Sequence, residues 1–203
     1  MSAPRTLMQM AGLAPVPARI EEAVLLIIDA QAEYAAGGGL PLDGLDAALA
    51  RLGALLAAAR AAGAPVIHVA HRGQPGRLFD PEAGGAILPA AAPAPGEPVV
   101  EKTLPNAFTR TDLAARLAGL GGRDLLVAGF MTHNCVSATA RAGLDLGYRV
   151  TVAGDATATR ALPDPLGGAA LDAASIQRAA LAALADRTAT VASTAVILRD
   201  GGA

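Results

Sequence analysis

Cysteine is nearly absent from this sequence of 203 residues, in which Cys135 is the only one. A single thiol excludes an internal disulfide and any metal site built from several cysteines. This usage agrees with a reducing compartment, so we expect a cytoplasmic protein. Tryptophan is also absent, and aromatic residues make up only 2% of the chain. Alanine-rich helices packed closely on a sheet fit this composition.

The sequence also lacks an excess of either charge, since it has 16 basic and 18 acidic residues and a formal net charge of −2. Without a cluster of Lys and Arg, we expect no nucleic-acid partner and no membrane partner. No apolar run approaches the roughly 20 residues that span a bilayer. Prolines interrupt residues 1–20, so we expect a surface arm there rather than a secretory leader. Residues 21–203 have the length of one domain.

Short apolar runs alternate with amphipathic segments along the chain. The predicted strands are 24–28, 66–70, 99–100, 125–128, 148–153 and 189–192, with a short apolar segment at 196–198. The predicted helices are 43–62, 111–120, one that begins at Cys135, and 170–185 with Leu171, Ile176, Leu181 and Leu184 facing inward. This alternation is typical of a three-layer α/β fold, in which helices cover both faces of a mostly parallel, six-stranded sheet.

Polar residues follow three of the predicted strands, namely Asp29, Lys102 and Cys135. The strand ends of one polarity lie on one edge of a parallel sheet, so these residues can meet although they are distant in sequence. If the strand order reverses between the first and fourth strands, Asp29 and Cys135 flank the crevice at that point. Gly129 is expected to end the fourth strand. Cys135 is expected at the start of a helix, where the helix dipole favours the nucleophilic thiolate.

Each of these residues also has a structural interpretation when it is taken alone. Asp29 could cap a turn, Lys102 could be a solvated surface group, and Cys135 could be a small buried apolar residue. His68 lies inside the second predicted strand and is expected to be a packed core residue. His71 stands just beyond that strand and is a candidate site residue, although no carboxylate at ligand spacing completes a metal signature.

Two loops are expected to matter for function. Residues 74–98 are rich in Gly, Pro and Ala, and they predict a long connection that serves either as a lid or as a partner-binding loop. Asp155 follows the fifth predicted strand, and a structural role is favoured over a place in a cleft. The segment 155–168 is the second loop expected to affect specificity.

Three ordered blocks resemble the isochorismatase-like cysteine hydrolases, a superfamily that includes nicotinamidases, carbamoylsarcosine amidohydrolases and ureidoacrylate amidohydrolases. These blocks read LLIIDAQAEY, EKTLPNAFTRTDL and GFMTHNCVSATARAGLDLGY. Two later segments, GDATATRALPD and LAALADRTATV, extend the likeness to residues 21–191. The resemblance implies a Rossmann-like fold with a six-stranded parallel sheet. It also implies a catalytic triad of Asp29, Lys102 and Cys135.

The same resemblance implies a particular backbone geometry and reaction. A non-proline cis peptide bond would join Phe130 to Met131, and the backbone N–H groups of Met131 and Cys135 would form an oxyanion hole. The implied reaction is hydrolysis of a C–N bond in a small non-peptide amide, carbamoyl or ureido compound. Cys135 would attack the carbonyl to form a thioester while Asp29 moves the proton. His133 receives less weight than Asp29 as the base.

The implied partner is a small-molecule substrate, and Gln31, His71 and Phe108 are the candidate contacts to it. Nicotinamidases carry an Asp-x-His and a further His for a metal after the second strand, whereas this chain reads HVAHRGQPGRLFDPE there. This departure argues against nicotinamide as the substrate and implies no metal and no other cofactor. Family members often form oligomers whose subunits complete one another's clefts, so a homo-oligomer, a dimer or larger, is implied.

Two other functions stay open at this point. A vinyl-ether hydrolase of the isochorismatase type would work without a nucleophilic thiol, so the presence of Cys135 favours C–N hydrolysis. A redox or binding protein on the same fold would use Cys135 as a sensor. The lack of a second cysteine weakens that alternative, because no internal thiol could resolve the oxidised form.

Overall fold

Six strands form a single sheet in which every neighbouring pair is parallel. The computed structural model describes residues 3–121 and 124–200. The strands are β1 (Ala23–Ile28), β2 (Val66–His71), β3 (Val99–Lys102), β4 (Asp124–Phe130), β5 (Val150–Ala158) and β6 (Thr190–Ala192). They are arranged in the order β3-β2-β1-β4-β5-β6. The predicted six-stranded parallel sheet is therefore confirmed, and it is parallel throughout.

Helices cover both faces of this sheet. They are α1 (Leu7–Met10), α2 (Leu45–Ala61), α3 (Leu113–Ala118), α4 (Ser137–Asp145), α5 (Ala173–Arg187) and α6 (Thr194–Asp200). One face of the sheet packs against α2 and α6, and the other packs against α3, α4 and α5. This arrangement confirms the three-layer prediction.

The central strand β1 is buried along its whole length. Successive side chains of a strand point to opposite faces. Leu25 and Ile27 accordingly pack in the cluster under α2, whereas Leu26 and Ile28 pack in the cluster under α3 and α4. A strand buried on both faces needs apolar residues at every position. That requirement explains why a continuous aliphatic run predicted this strand.

The fourth strand continues past the residue that was predicted to end it. Gly129 lies inside β4 with φ 114°, and a Cβ added there would lie 2.0 Å from the carbonyl oxygen of Ile28. Glycine is needed because it permits this close approach of two backbones, so β4 stays paired with β1 as far as Ile28, the last residue of β1. The prediction that Gly129 ends the strand is wrong.

Four further predictions concern the C-terminal part of the chain. The fifth strand starts at Val150 and runs through Asp155 to Ala158, and 196–198 belong to helix α6. Asp155 accepts hydrogen bonds from the backbone N–H (2.7 Å) and the hydroxyl (2.8 Å) of Thr194, so it caps α6 and its structural role is confirmed. Leu171 is 43% exposed and precedes α5, so its predicted inward orientation is wrong.

The N-terminal segment runs over the surface to the edge of the sheet. The backbone N–H of Leu7 donates to Asp186 Oδ1 (2.8 Å), and that of Ala18 donates to Thr151 Oγ1 (2.8 Å). Most residues before Ala18 are exposed, whereas Ala18 and Ile20 are buried in the core. In residues 3–121 and 124–200, no helix has the length and apolar character needed to cross a membrane.

Candidate active site

The strand order reverses between β1 and β4, which are neighbours at the centre of the sheet. At such a point the chain leaves one strand toward one side of the sheet and its neighbour toward the other, which opens a crevice at the carboxyl edge. Asp29 directly follows β1, and a π turn (Thr132–Val136) that contains Cys135 follows β4. Both residues therefore reach the crevice from opposite sides.

Three buried side chains meet at this edge. The Nζ atom of Lys102, the last residue of β3, donates to Asp29 Oδ2 at 2.7 Å and lies 3.3 Å from Cys135 Sγ. Asp29 is 0% exposed, Lys102 is 2% exposed and Cys135 is 4% exposed. Asp29 Oδ1 is buried without a hydrogen-bond partner among the described residues. The ammonium therefore bridges the carboxylate and the thiol, and one carboxylate oxygen is left to accept a proton.

Burial decides the charge state of this group. It raises the pKa of the Asp29 carboxyl above its ordinary value of 3.8, and the Lys102 ammonium opposes part of the rise. Burial, and then the negative charge of Asp29, raise the pKa of the Cys135 thiol to about 12. The resting thiol is therefore neutral at pH 7, and the Lys102 Nζ atom 2.7 Å from Asp29 Oδ2 favours the carboxylate form of Asp29.

This charge state corrects the expectation that the helix dipole produces a resting thiolate. The π turn begins at Thr132 and continues directly into α4, so Cys135 is the fourth residue of a helical run rather than its first. The dipole acts mainly on the first turn. At Cys135 its effect is outweighed by burial and by the neighbouring carboxylate.

The backbone around Asp29 has an uncommon conformation. Asp29 has φ 47°, in the left-handed region that aspartate enters more readily than most other residues. Its N–H donates to the carbonyl of Val69 (2.9 Å), and its carbonyl accepts from the N–H of Gln31 (2.8 Å). These two hydrogen bonds fix the turn that directs the carboxylate toward Lys102.

Two buried polar side chains after Asp29 hold the loop that follows β2. The Gln31 side chain donates to the carbonyls of His71 (2.9 Å) and Gly85 (2.7 Å), and it accepts from the His71 N–H (2.8 Å). The Glu33 carboxylate accepts from the N–H groups of Gly39 (2.7 Å) and Phe79 (2.6 Å). The side chain of Gln31 is therefore occupied by backbone groups of the loop, which places it as an anchor of that loop.

Aromatic rings lie beside the triad. His71 ends β2, and its Nδ1 atom is 3.4 Å from Lys102 Nζ. Its ring packs on Phe79 at a centroid distance of 4.8 Å, and Phe79 meets Tyr34 edge-on at 5.4 Å. Burial, and then the Lys102 ammonium, lower the pKa of His71, so the imidazole is neutral at pH 7 and Nδ1 can accept from the ammonium. Tyr34 and Phe79 were not among the residues predicted for the site.

The peptide bond between Phe130 and Met131 is cis, as the family resemblance implied. The Met131 carbonyl accepts from the N–H groups of Asn134 (3.1 Å) and Val136 (3.2 Å), which ties the cis bond to the turn that carries Cys135. The role of the Met131 and Cys135 N–H groups as an oxyanion hole stays a prediction.

The remaining candidates contact residues outside the triad. The Phe108 ring stacks on Tyr148 with a centroid distance of 6.3 Å, so its predicted contact with substrate stays a prediction. His133 Nδ1 lies 2.5 Å from Thr159 Oγ1. His68 is 1% exposed and its Nε2 atom is 2.9 Å from Glu97 Oε2, which confirms it as a core histidine. Over the described ranges, no group of three His, Cys, Asp or Glu side chains is placed to hold a metal ion.

Comparison with known proteins identifies close relatives over most of the chain. The family model described as the Isochorismatase domain matches residues 23–196. A crystal structure of an isochorismatase from Pseudomonas putida KT2440 superimposes with a TM-score of 0.89 at 45% identity, covering 95% of this chain and 98% of that one.

Curated relatives carry several different names. The secreted isochorismatase effector Isc1 of Verticillium dahliae is 38% identical, over 91% of this chain and 95% of its own length. A streptothricin hydrolase of Streptomyces noursei is 37% identical, over 94% of this chain and 76% of its own length. The ureidoacrylate amidohydrolase RutB of Stutzerimonas stutzeri is 31% identical, over 70% of this chain and 72% of its own length.

Proposed function

We propose that this chain, which belongs to the isochorismatase family of hydrolases, is a cysteine amidohydrolase. The proposed substrate is a small non-peptide amide, carbamoyl or ureido compound, and the bond cleaved is C–N. One observation carries the proposal: the Lys102 ammonium lies 2.7 Å from Asp29 Oδ2 and 3.3 Å from Cys135 Sγ in a buried site. A nucleophile, a base and a cation in contact are what acyl transfer through a thioester requires.

The first step begins from the neutral thiol. Because the pKa of Cys135 is raised to about 12, its proton must leave as the sulfur attacks the substrate carbonyl. Asp29 accepts that proton on its free oxygen, and Lys102 stabilises the negative charge that develops on sulfur. The C–N bond then breaks, Asp29 passes the proton to the leaving nitrogen, and the acyl group stays on Cys135 as a thioester.

The second step releases the product. Water attacks the thioester while Asp29 takes a proton from it, the C–S bond breaks to release the acid product, and Asp29 returns the proton to the sulfur of Cys135. In both steps the carbonyl oxygen becomes negatively charged, and we assign the N–H groups of Met131 and Cys135 to its stabilisation. Losing one such donor typically costs about 3–4 kcal/mol of barrier.

Other groups around the triad have supporting roles in this proposal. His71 is neutral beside Lys102, so it offers a hydrogen-bonding edge to the substrate without adding charge. Gln31 keeps His71 in place through its two hydrogen bonds to that residue's backbone. The names of two relatives, a streptothricin hydrolase and a ureidoacrylate amidohydrolase, support hydrolysis as the reaction class.

A screen for ammonia release from small amides and ureido compounds tests the proposal, with the Cys135→Ala and Cys135→Ser variants alongside. We expect turnover by the wild type and a loss of at least about 10³-fold in both variants, because a covalent step is removed. Turnover near the wild-type rate in Cys135→Ala would instead favour vinyl-ether hydrolysis. Reversible oxidation of Cys135 without turnover of any amide would favour the redox alternative.

Two expectations accompany this function. A homo-oligomer is proposed on the family resemblance, and light scattering of the purified protein measures it. A cytoplasmic location stays a prediction, since one relative is described as secreted.

A further inference from the structure

The ammonium of Lys102 has three polar neighbours in the buried site. Its Nζ atom lies 2.7 Å from Asp29 Oδ2, 3.3 Å from Cys135 Sγ and 3.4 Å from His71 Nδ1. An ammonium carries three N–H donors and has no acceptor. Each donor can therefore be assigned to one neighbour. Two of these neighbours act in the proposed acyl transfer, and the third, His71, has no part in moving its protons.

Strand pairing places His71 beside Lys102. His71 is the last residue of β2 and Lys102 is the last residue of β3, and the two residues are partners in the parallel register. Side chains of a sheet alternate between its two faces, so partners on neighbouring strands project from the same face. The contact between the imidazole and the ammonium is thus set by the sheet itself.

The imidazole is also held from two further sides. The Gln31 side chain donates to the His71 carbonyl (2.9 Å) and accepts from the His71 N–H (2.8 Å), so the backbone of His71 is fixed. The ring packs on Phe79 at a centroid distance of 4.8 Å. A lysine ammonium sits on a flexible stem, whereas this ring is restrained at its backbone and at its face. The ring is therefore able to restrain the ammonium.

Only the neutral imidazole can accept this hydrogen bond. The charged groups that act on its pKa are the Lys102 ammonium at the end of β3 and the Asp29 carboxyl beyond β1. The neighbouring ring of Phe79 is uncharged, and the Cys135 thiol on the same ammonium is neutral because its pKa is raised to about 12. Burial, and then the ammonium, lower the pKa of His71, and Asp29 opposes part of this change. At pH 7, Nδ1 accepts from Lys102 and the ring proton lies on Nε2.

Uptake of a proton by His71 would change two features of the site at once. Nδ1 would become a donor, so the ammonium would lose its third acceptor. A second positive charge would also stand 3.4 Å from the ammonium, and like charges repel strongly where water is excluded. Both effects displace the cation from the place between carboxylate and sulfur.

We propose that His71 is a positioning residue that holds the Lys102 ammonium between Asp29 and Cys135, and that uptake of a proton by its imidazole switches the site off. The proton comes from solvent and binds Nδ1, and no other bond forms or breaks. This inference rests on the proposed hydrolase function and adds the control of that function by pH.

His71→Asn and His71→Leu separate the hydrogen bond from the rest of the side chain. Asparagine carries an amide oxygen that accepts a hydrogen bond and does not titrate, near the position of Nδ1. At pH 8 we expect its kcat, for the substrate found in the screen for ammonia release, to stay within about fivefold of wild type. His71→Leu has no acceptor, so its kcat should be about 10- to 100-fold below that of His71→Asn.

The two variants also share a control. Both lack Nε2, so any contact of that atom with substrate affects their KM alike, and only the loss of the Nδ1 acceptor separates their kcat. An equal kcat for His71→Asn and His71→Leu would show that the hydrogen bond to Lys102 does not matter, and the proposal would fail.

The pH profile distinguishes His71 from Asp29, whose carboxyl also titrates. The ratio of kcat in wild type to kcat in His71→Asn cancels Asp29, because both proteins keep it. We expect this ratio to be constant at high pH and to fall about tenfold per pH unit below the pKa of His71. That pKa is lowered from 6.5, so the fall should begin below pH 6.5. A ratio that stays constant through the measured pKa of His71 would overturn the proposal.

Arg72→Met is the matched control for the charge of the neighbourhood. Arg72 follows His71 and forms an ion pair with Glu101 at the surface, so its replacement removes a nearby charge and leaves Nδ1 in place. We expect the acid limb of the profile to be that of wild type. An acid limb altered as much in Arg72→Met as in His71→Asn would assign it to surface charge and refute the role of His71.

Nitrogen NMR of the imidazole rings tests the arrangement without turnover. The chain has three histidines, and the signals of His71 are those that disappear in His71→Asn. For the wild type at pH 8 we expect the His71 proton on Nε2 and a bare Nδ1, with a pKa below 6.5 on titration. A proton on Nδ1 at pH 8 contradicts the hydrogen bond from Lys102, whatever the activity.

The NMR and the kinetics together tell failure of this inference from failure of the proposed function. If the screen finds no substrate but the tautomer and the pKa are as expected, the hydrolase proposal fails and the positioning of Lys102 by His71 stands. If amides are hydrolysed and the kcat ratio does not depend on pH through the pKa of His71, this inference fails and the hydrolase proposal stands.

Discussion

Replacing Lys102 by methionine removes the cation from a buried ion pair and keeps an unbranched apolar stem in its place. Asp29 is 0% exposed, and the Lys102 ammonium at 2.7 Å is its ion-pair partner. Breaking a buried pair by removing one partner typically destabilises a protein by about 3–5 kcal/mol. We expect a loss of that size in the free energy of unfolding, although Asp29 has one way to limit it.

Protonation of Asp29 sets an upper limit to this loss in the free energy of unfolding. At pH 7, adding a proton to a carboxyl with an ordinary pKa of 3.8 costs about 4.4 kcal/mol, because each pH unit is worth about 1.4 kcal/mol. The carboxyl takes up the proton if burial of the bare charge would cost more. The expected loss at pH 7 is therefore about 3–4 kcal/mol.

The pH dependence of the stability of Lys102→Met shows whether Asp29 takes up a proton when its partner is removed. Burial raises the pKa of Asp29 in the folded protein, so above pH 3.8 the folded state binds more protons than the unfolded state. Stability from such a group is present at low pH and lost as the pH rises. Without Lys102 this rise in pKa is larger, so the deficit of Lys102→Met relative to wild type should shrink by up to about 1.4 kcal/mol per unit between pH 7 and pH 5.

Urea unfolding at pH 5, 6 and 7 measures this effect, with the double variant Asp29→Asn/Lys102→Met as the control. The control lacks the carboxyl, so its deficit relative to the single variant Asp29→Asn should not change with pH in this range. A deficit below about 1 kcal/mol at pH 7, or an equal deficit at pH 5 and pH 7 for Lys102→Met, would refute the charge assignment of the site.

Two further predictions concern the thiol and the loop after β2. Because the pKa of Cys135 is about 12, we expect the rate of its alkylation by iodoacetamide to rise about tenfold per pH unit from pH 7 to pH 9 without a plateau. Asp29→Asn should be alkylated faster, because the negative charge that disfavours the thiolate is gone. A plateau below pH 8 would contradict both expectations. Glu33→Ala leaves the buried N–H of Phe79 and that of Gly39 without their acceptor, so we expect a loss of about 2–4 kcal/mol in urea unfolding and faster hydrogen exchange of residues 76–86. Glu82→Ala, an exposed change in the same loop, is the control, and equal effects of the two changes would contradict the anchoring role.

The sequence predicted the sheet well because its strands are buried on both faces. The run around Leu26 is apolar at every position, and that pattern has few other interpretations at its length. Strand ends were harder to place. Gly129 resembles a strand terminator by composition, yet it permits close pairing with Ile28, which is a tertiary property that local pattern does not contain.

The candidate site could be predicted only in part, for a similar reason. Asp29, Lys102 and Cys135 stand at or just after strand ends, and the topology of a parallel sheet brings such positions to one edge. Phe79 comes from an irregular loop whose path depends on anchors elsewhere in the chain. The protonated state of Cys135 was also missed, because burial and the charge of Asp29 are known only once the chain is folded.

The anchoring of the loop after β2 has a consequence for redesigning substrate range. The segment that begins at Asp29 also holds this loop by hydrogen bonds from the side chains of Gln31 and Glu33 and by backbone pairing with residues 84–87. We therefore expect residues 74–78 to tolerate grafted sequences, provided that the contacts of Gln31 and Glu33 with the loop are kept. A graft that disturbs these contacts would also displace Asp29, the base in the proposed mechanism, so we expect selectivity and turnover to change together.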